Sequence, residues 1–132
     1  MIRTYLDAGV LIALARGQRG SARSAFDLIE DPERELVASV FLRLETLPKA
    51  VIERRTAEVA LYQRYFARIV DWANPLDELV SLAEGEAARY GLSALDGLHI
   101  AAAKLLGADE FVTTERPGKP VHRATGMDVV AI

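Results

Sequence analysis

Short strand-like segments alternate with longer helical segments along the whole sequence. This alternation constrains the fold more than any other feature, because strands separated by helices pair in parallel and are covered by helices on both faces. The predicted strands span residues 2–6, 35–38, 70–72, 111–113 and 129–131, and the predicted helices span 10–15, 21–29, 40–51, 57–69, 75–90 and 95–106. The sequence therefore predicts an α/β fold, a three-layer α/β/α sandwich around a short, mostly parallel central sheet.

The helix that follows the second strand carries the most detailed local expectations. Ser39 has the side chain of a helix N-cap, and Pro48 is expected to kink or loosen the later half of the helix. The apolar residues expected to form one stripe at helical spacing are Phe41, Leu44, Leu47 and Val51. Further along the chain, Gly91 and Gly107 are expected to end the last two helices.

The chain has 132 residues, no internal repeat and no Gly/Ser linker, so a single domain over residues 1–132 is expected. It contains no cysteine, which excludes disulfides, thiolate-bound zinc and a cysteine nucleophile. Because there are only two histidines, a bound metal is expected to be a hard cation held by oxygen, Mg²⁺ or Mn²⁺ before Zn²⁺.

The start of the chain resembles a signal peptide only faintly, since Asp7 interrupts the apolar segment and the remaining apolar run is short. No segment approaches the ~20 apolar residues that a membrane-spanning helix requires. A cytoplasmic protein without a membrane partner is therefore expected. The net charge of −3 argues against a surface coated with positive charge for general nucleic-acid binding, but it does not exclude an enzyme that acts on RNA.

Four acidic residues lie where the predicted strands lead into helices or loops. Asp7 directly follows the first strand, and Glu45 lies on the helix after the second. Asp96 begins the last predicted helix, and Glu115 comes just after the fourth strand. In a parallel sheet, ligands bind beyond the carboxyl ends of the strands. The four carboxylates are therefore expected to meet at one edge of the sheet.

Such a cluster needs compensation, because two like charges 4 Å apart repel by roughly 4 kcal/mol at an effective dielectric constant of 20. A divalent cation neutralises them, or some of the carboxylates take up protons. A carboxylate site that leaves coordination positions open suits phosphodiester hydrolysis by metal-activated water. Asp7, Asp96 and Glu45 are predicted as metal ligands, and Asp7, Glu45, Asp96 and Glu115 as catalytic residues.

Each acid also fits an ordinary structural role. Asp7 has the side chain of an N-cap for the first helix, and Glu45 is spaced for a surface ion pair with Lys49. Asp96 fits a helix-capping pattern, and Glu115 fits an acid in a solvated loop. For any one acid the structural role is at least as good an explanation, and it is the order and placement of the whole set that favour function.

Two neighbouring features allow a functional and a structural interpretation. The basic loop after Glu115 contains Arg116, Lys119 and Arg123, which are candidate contacts for substrate phosphate and equally fit a solvated loop. His99 lies three residues after Asp96 on the same helix face. It is interpreted as a packed or solvent-facing residue and is not included in the predicted site.

Four segments together resemble the PIN-domain family along essentially the whole chain. The segment YLDAGVLI, residues 5–12, is similar to the family's first motif, a strand that ends in a metal-binding Asp. Glu45 matches the acid of the second motif. The segment LDGLHIA, residues 95–101, is similar to the third motif and is the most specific match, and FVTTE, residues 111–115, matches the strand that leads to the fourth acid.

The resemblance implies a Mg²⁺- or Mn²⁺-dependent endoribonuclease like the VapC type of toxin, which is often a homodimer and is neutralised by a cognate antitoxin. Two departures bear on activity. After the first Asp the family usually has Ser or Thr and then Asn or Ser, whereas this chain has Ala8 and Gly9. The fourth acid is usually Asp, whereas Glu115 is longer by one methylene.

Other functions remain open on the sequence. Ala8, Gly9 and Glu115 favour a PIN fold with weak or no catalysis that binds RNA or a protein. A magnesium phosphohydrolase with Asp7 as the nucleophile is a further alternative, although it gives the other acids no joint role. A receiver-like phospho-acceptor fails similarly, because its acceptor Asp belongs after a central strand further along the chain.

A partner surface is a separate expectation. Leu61, Tyr65 and Ile69 form an apolar stripe on one predicted helix, and the simplest interpretation is that this stripe belongs to the core. If it is partly exposed, it is a candidate surface for self-association or for an antitoxin helix.

Overall fold

The computed structural model describes residues 1–132 and contains five strands and six α-helices. The strands are β1 (Ile2–Leu6), β2 (Arg34–Ala38), β3 (Asp71–Trp72), β4 (Glu110–Thr113) and β5 (Asp128–Ala131). The helices are α1 (Ala8–Ala15), α2 (Ser21–Glu30), α3 (Val40–Ile52), α4 (Thr56–Ala67), α5 (Leu76–Tyr90) and α6 (Ala94–Leu105), and a short 3-10 helix spans Pro120–Arg123. Every predicted element is present, with boundaries within two residues of the prediction.

The strands form one sheet in the order β3-β2-β1-β4-β5, and all four pairings are parallel. The later residues of β1, β2 and β4 are buried in unbroken runs, as expected for strands covered on both faces. The chain therefore folds as the three-layer α/β/α sandwich that the alternation predicts. Because the sheet grows from β1 first to one side and then to the other, a topological switch point lies between β1 and β4.

The helices pack in neighbouring pairs, α1 with α2, α3 with α4 and α5 with α6. Gly91 ends α5 in the left-handed conformation, at φ 69°, which confirms the predicted stop. None of the helices combines the length and the apolar character needed to cross a bilayer.

The first helix begins at Ala8, two residues before the predicted start. The carboxylate of Asp7 accepts a hydrogen bond from the Ala8 N–H at 2.8 Å, so the cap stands immediately before the helix. Gly9 has no left-handed backbone and is an ordinary residue of the first turn. The predicted start of this helix at residue 10 was therefore wrong by two residues.

The predicted core stripe of α3 was also wrong. Leu44 and Val51 are 66% and 59% exposed, and the fully buried side chains of this helix are Leu42, Thr46 and Ala50. Apolar residues occur all around α3, so their spacing does not single out one face. The inward face is fixed instead by polar contacts of residues between the apolar ones, and the helix continues through Pro48.

At the amino edge of the sheet the acidic residues are paired with arginine. Arg3 contacts Glu35 at 2.8 Å and Asp71 at 3.1 Å, and these contacts raise the pKa of Arg3. Arg34 contacts Glu110 at 2.7 Å. Arginine side chains therefore neutralise these carboxylates. The acids at the opposite edge of the sheet are compared with them below.

Candidate carboxylate site

Asp7 lies at the carboxyl end of the central strand. Its N–H donates to the carbonyl of Val112 on β4 at 2.9 Å, and its Oδ2 accepts from the Thr113 hydroxyl at 3.2 Å. Oδ1 caps α1 through the Ala8 N–H, so both carboxylate oxygens are held by the chain. The structural role considered for Asp7 is real, and the same contacts fix the carboxylate at the switch point of the sheet.

Glu45 projects from α3 towards the interior and hydrogen-bonds to Nε2 of His99 on α6. Lys49 forms no ion pair with it, so the predicted surface pair is absent. His99 is 1% exposed, and its Nδ1 lies 2.6 Å from the hydroxyl of Tyr5, which in turn lies 2.8 Å from Oγ of Ser39. A buried polar chain from β1 to α3 therefore anchors Glu45.

The donor and acceptor roles within this polar chain follow from the hydrogen-bonding capacity of each group. An ionised Glu45 only accepts, so Nε2 of His99 donates to it. The Tyr5 hydroxyl lies between Nδ1 of His99 and Oγ of Ser39, so it donates to one of them and accepts from the other. This explains why Ser39 stands at the N-cap position of α3 without a side-chain capping bond: its hydroxyl is turned inward.

His99 was not included in the site predicted from the sequence, and its contact with Glu45 was missed. The histidine is packed, as predicted, but it also contacts one of the predicted acids directly. Its position three residues after Asp96 on one helix face was the only signal available in the sequence. Each of the three hydrogen bonds of the polar chain joins residues that are 34 to 94 positions apart in the sequence, so no local motif reveals them.

Asp96 lies in the first turn of α6, where its N–H donates a capping hydrogen bond to Oγ of Ser93 at 3.2 Å. Burial raises the pKa of Asp96, and the charges of Glu115 and Glu45 raise it further. Burial likewise raises the pKa of Asp7, with Asp96 and Glu45 adding to the effect and His99 opposing it. The charges of Asp96 and Glu45 therefore act on Asp7, and those of Glu115 and Glu45 act on Asp96.

Glu115 follows β4 and is exposed. Its N–H donates to the Thr113 hydroxyl at 3.1 Å, and its carbonyl oxygen lies 2.9 Å from Nε2 of His122. Thr113 therefore links the backbone of the fourth acid to the carboxylate of Asp7. The Glu115 side chain itself has no hydrogen-bond partner or ion pair in the chain.

The basic loop is exposed at all three predicted substrate-binding positions, Arg116, Lys119 and Arg123. Arg123 donates from Nη1 to the carbonyl of Tyr90 at 3.0 Å, which ties it to the end of α5. Arg116 and Lys119 form no ion pair. The structure brings none of these three side chains into contact with the four acids.

The donor chemistry of this edge suits a hard divalent cation. Unlike the acids of the amino edge, the four site carboxylates have no arginine or lysine partner, and only Glu45 has a histidine. No three acidic or histidine side chains already lie at ligand spacing. Asp7, Asp96 and Glu45 are the residues that would hold a cation, because oxygen ligands are what Mg²⁺ and Mn²⁺ prefer.

The protein is therefore a five-stranded parallel α/β domain with acidic residues near the carboxyl ends of β1 and β4. The PIN domain family model matches residues 4–116, so the chain belongs to the PIN domain family. PIN domains are generally nucleases. A comparison with curated protein sequences finds no significant match.

Solved structures with the same fold include toxin–antitoxin proteins. VapBC2 from Rickettsia felis, bound to a promoter DNA fragment, has a TM-score of 0.72 and 12% identity, covering 98% of both chains. A toxin–antitoxin complex from Klebsiella pneumoniae has a TM-score of 0.66 and 17% identity over 97% of this chain and 96% of that one. FitAcB from Neisseria gonorrhoeae has a TM-score of 0.62 and 21% identity over 96% of each. At these identities the similarity establishes the fold.

Proposed function

We propose that this protein is a Mg²⁺- or Mn²⁺-dependent endoribonuclease that acts as the toxin of a toxin–antitoxin pair. One observation carries the proposal: burial and the charges of neighbouring acids raise the pKa of Asp7 and of Asp96, and no arginine or lysine pairs with either. A domain tolerates such repulsion where a ligand compensates it. Because the family consists generally of nucleases, we infer that the compensating ligand is a catalytic cation.

The residues of the site have distinct tasks in this reaction. A bound cation would supply charge stabilisation at the phosphate and a more acidic water. Asp7 is presented rigidly by Ala8 and Thr113, and Asp96 by the first turn of α6. Glu45 completes the ligand set while His99 fixes one of its oxygens. Glu115 lies at the exposed rim of the site, where its negative charge raises the pKa of Asp96 and also acts on the approaching substrate.

The basic loop supplies the remaining contact with RNA. Arg116 and Lys119 are exposed and unpaired, and they follow Glu115 directly in the chain. They are proposed to bind phosphates next to the one that is cut, with Arg123 in a secondary role because it already holds the end of α5. This assignment concentrates positive charge where a protein of net charge −3 needs it.

The test is cleavage of a labelled RNA by purified protein across a Mg²⁺ and Mn²⁺ titration. Asp96→Asn keeps the size of the side chain and removes its charge, so it should abolish both cleavage and divalent-cation binding by calorimetry. Lys49→Gln is the matched control, since Lys49 contacts none of the site residues. Wild-type cleavage rates and magnesium dependence in Asp96→Asn protein would reduce Asp96 to a helix cap and end this mechanism.

The catalytically inactive alternative is separated by the same assay. A PIN fold that only binds RNA would retain the RNA in the presence of Mg²⁺ without cutting it. Ala8 and Gly9 favour that alternative, whereas the uncompensated acids favour catalysis. The phosphohydrolase alternative is weakened because Asp7 has both carboxylate oxygens engaged by hydrogen bonds, which suits a ligand held in place better than a free nucleophile.

An antitoxin is proposed to bind at the groove between α2 and α4. Tyr65 and Leu61 of the predicted stripe line this groove; Tyr65 is buried, whereas Leu61 and the third member, Ile69, are partly exposed. Phe26, 49% exposed, extends the apolar surface, and Arg64 and Arg68 border it. An apolar helix with acidic residues fits this surface. Phe26→Asp should release a co-expressed antitoxin without slowing RNA cleavage.

A homodimer is proposed through a second apolar surface. Phe41 of α3, Val80 of α5 and Leu98 of α6 line a groove, and Leu44 and Leu95 beside it are 66% and 45% exposed. Exposed apolar surface of this kind marks interfaces. Sedimentation analysis should show a dimer for the wild type and a monomer for Leu95→Glu.

A further inference from the structure

Gly9 is a glycine whose backbone does not require one. It is the second residue of α1, and its φ lies outside the left-handed region. Glycine within a helix is less favourable than alanine, so a local reason for it is needed. The reason is steric: a Cβ on Gly9 would lie 2.4 Å from Oγ1 of Thr114. The next atom, Cβ of Thr114, is 3.7 Å away, so the hydroxyl alone fills the space.

Thr114 lies between two residues that are already tied to the site. On one side, the hydroxyl of Thr113 donates to Asp7 and accepts from the Glu115 N–H. On the other side is Glu115 itself. Thr114 is only partly buried, and its own hydroxyl has no hydrogen-bond partner in the chain. A hydroxyl without a protein partner is therefore placed against Gly9, in the first turn of the helix that Asp7 caps.

We propose that the Thr114 hydroxyl is a substrate contact that donates a hydrogen bond to a non-bridging oxygen of the RNA phosphate. It occupies the volume that a side chain at position 9 would fill, so the residue after β4 supplies a polar group where α1 has none. This inference rests on the proposed ribonuclease function. It also accounts for Gly9, because a side chain there and a threonine at 114 exclude each other.

Two substitutions at Thr114 separate the hydroxyl from the packing. Thr114→Val keeps the shape and loses the hydroxyl, whereas Thr114→Ser keeps the hydroxyl and loses a methyl. Single-turnover cleavage of a short RNA in Mg²⁺ should slow by roughly 10-fold or more in Thr114→Val, the usual effect of losing a hydrogen bond to a charged group, and by no more than about threefold in Thr114→Ser. Thermal unfolding confirms that both variants fold.

A swap tests where the hydroxyl must be. Gly9→Ala should lower the melting temperature in the wild-type background and leave it unchanged or higher in a Thr114→Ala background, because the clash is then removed. Gly9→Ser combined with Thr114→Ala returns a hydroxyl to the same space and should recover part of the cleavage rate that Thr114→Ala loses.

The outcomes distinguish this inference from the proposed function. Wild-type protein that does not cleave RNA in either cation refutes the ribonuclease and the substrate contact with it. Wild-type cleavage together with an equal rate for Thr114→Val refutes the contact alone. Additive melting-temperature changes for Gly9→Ala and Thr114→Ala would show that the two positions do not exclude each other, which would overturn the steric argument.

Discussion

Two buried tyrosines provide a matched test of the polar chain that holds Glu45. Tyr5 is fully buried and its hydroxyl bonds to both Ser39 and His99. Tyr65 is 3% exposed, and its hydroxyl is the one buried side-chain polar atom without a partner. The change of tyrosine to phenylalanine removes the same atom at both sites. We expect opposite effects on the free energy of unfolding.

The magnitudes follow from what each hydroxyl leaves behind. Tyr5→Phe strands two buried polar atoms, Oγ of Ser39 and Nδ1 of His99, and each costs about 1–3 kcal/mol. Allowing for partial relaxation, the loss should be roughly 3 kcal/mol, a large part of the ~5–15 kcal/mol that stabilises a typical domain. Tyr65→Phe removes a hydroxyl that is buried without a bond, so stability should be unchanged or rise by about 1 kcal/mol.

Urea unfolding followed by circular dichroism measures both changes in one assay. The midpoint should fall clearly for Tyr5→Phe with an unchanged slope, and should stay or rise for Tyr65→Phe. Tyr5→Phe should also slow RNA cleavage, because His99 loses the partner that fixes its ring against Glu45. Equal shifts for the two variants would refute the view that the chain from Ser39 to Glu45 is a connected network.

Three further predictions concern the charges. The folded-state pKa of Asp7 is raised, so its ionised form opposes folding at neutral pH; Asp7→Asn should raise the melting temperature of metal-free protein at pH 7, and its advantage should shrink as pH falls towards the ordinary aspartate value of about 4. An advantage that grows on acidification would contradict this sign. Glu115→Ala should retain partial cleavage and lower the pKa of Asp96, measured by NMR titration, because the Glu115 charge raises it; an unmoved Asp96 would place Glu115 outside the site. The hydrogen bond from Thr125 lowers the pKa of Tyr90 to about 8, so a tyrosinate absorbance step near that pH should be absent in Tyr90→Phe, and its persistence there would assign it to another tyrosine.

The architecture was predictable because short local segments of the sequence indicate the strands. The segment 2–6, IRTYL, is short and contains the strand-favouring residues Ile2, Thr4 and Tyr5, and the helices that alternate with such segments predict a parallel sheet. The stop at Gly91 was predictable for the same reason, since a left-handed helix end favours glycine at one position. These signals operate over a few residues and do not depend on distant contacts.

The parts that sequence reasoning missed depend on distant partners. The inward face of α3 is decided by Glu45 and Thr46, which bond to His99 and to the Leu42 carbonyl, whereas an apolar count places both outside. The start of α1 was placed two residues late, and the residue against which Gly9 packs, Thr114, lies more than 100 residues further along the chain. The contacts of Glu45 with His99 and of Gly9 with Thr114 join distant residues, so no local pattern reveals them.

The position of β1 at the centre of the sheet also determines when, during synthesis of the chain, the carboxylate site can form. Asp7 is synthesised before the residues that fix it from β4, since the bonds from Val112 and Thr113 come from a strand 106 residues later. Until that strand is made, only the local bond from the Ala8 N–H holds the carboxylate of Asp7, and no fourth acid lies beyond it. Under the proposed ribonuclease function, a chain that stops before β4 is therefore expected to be inactive.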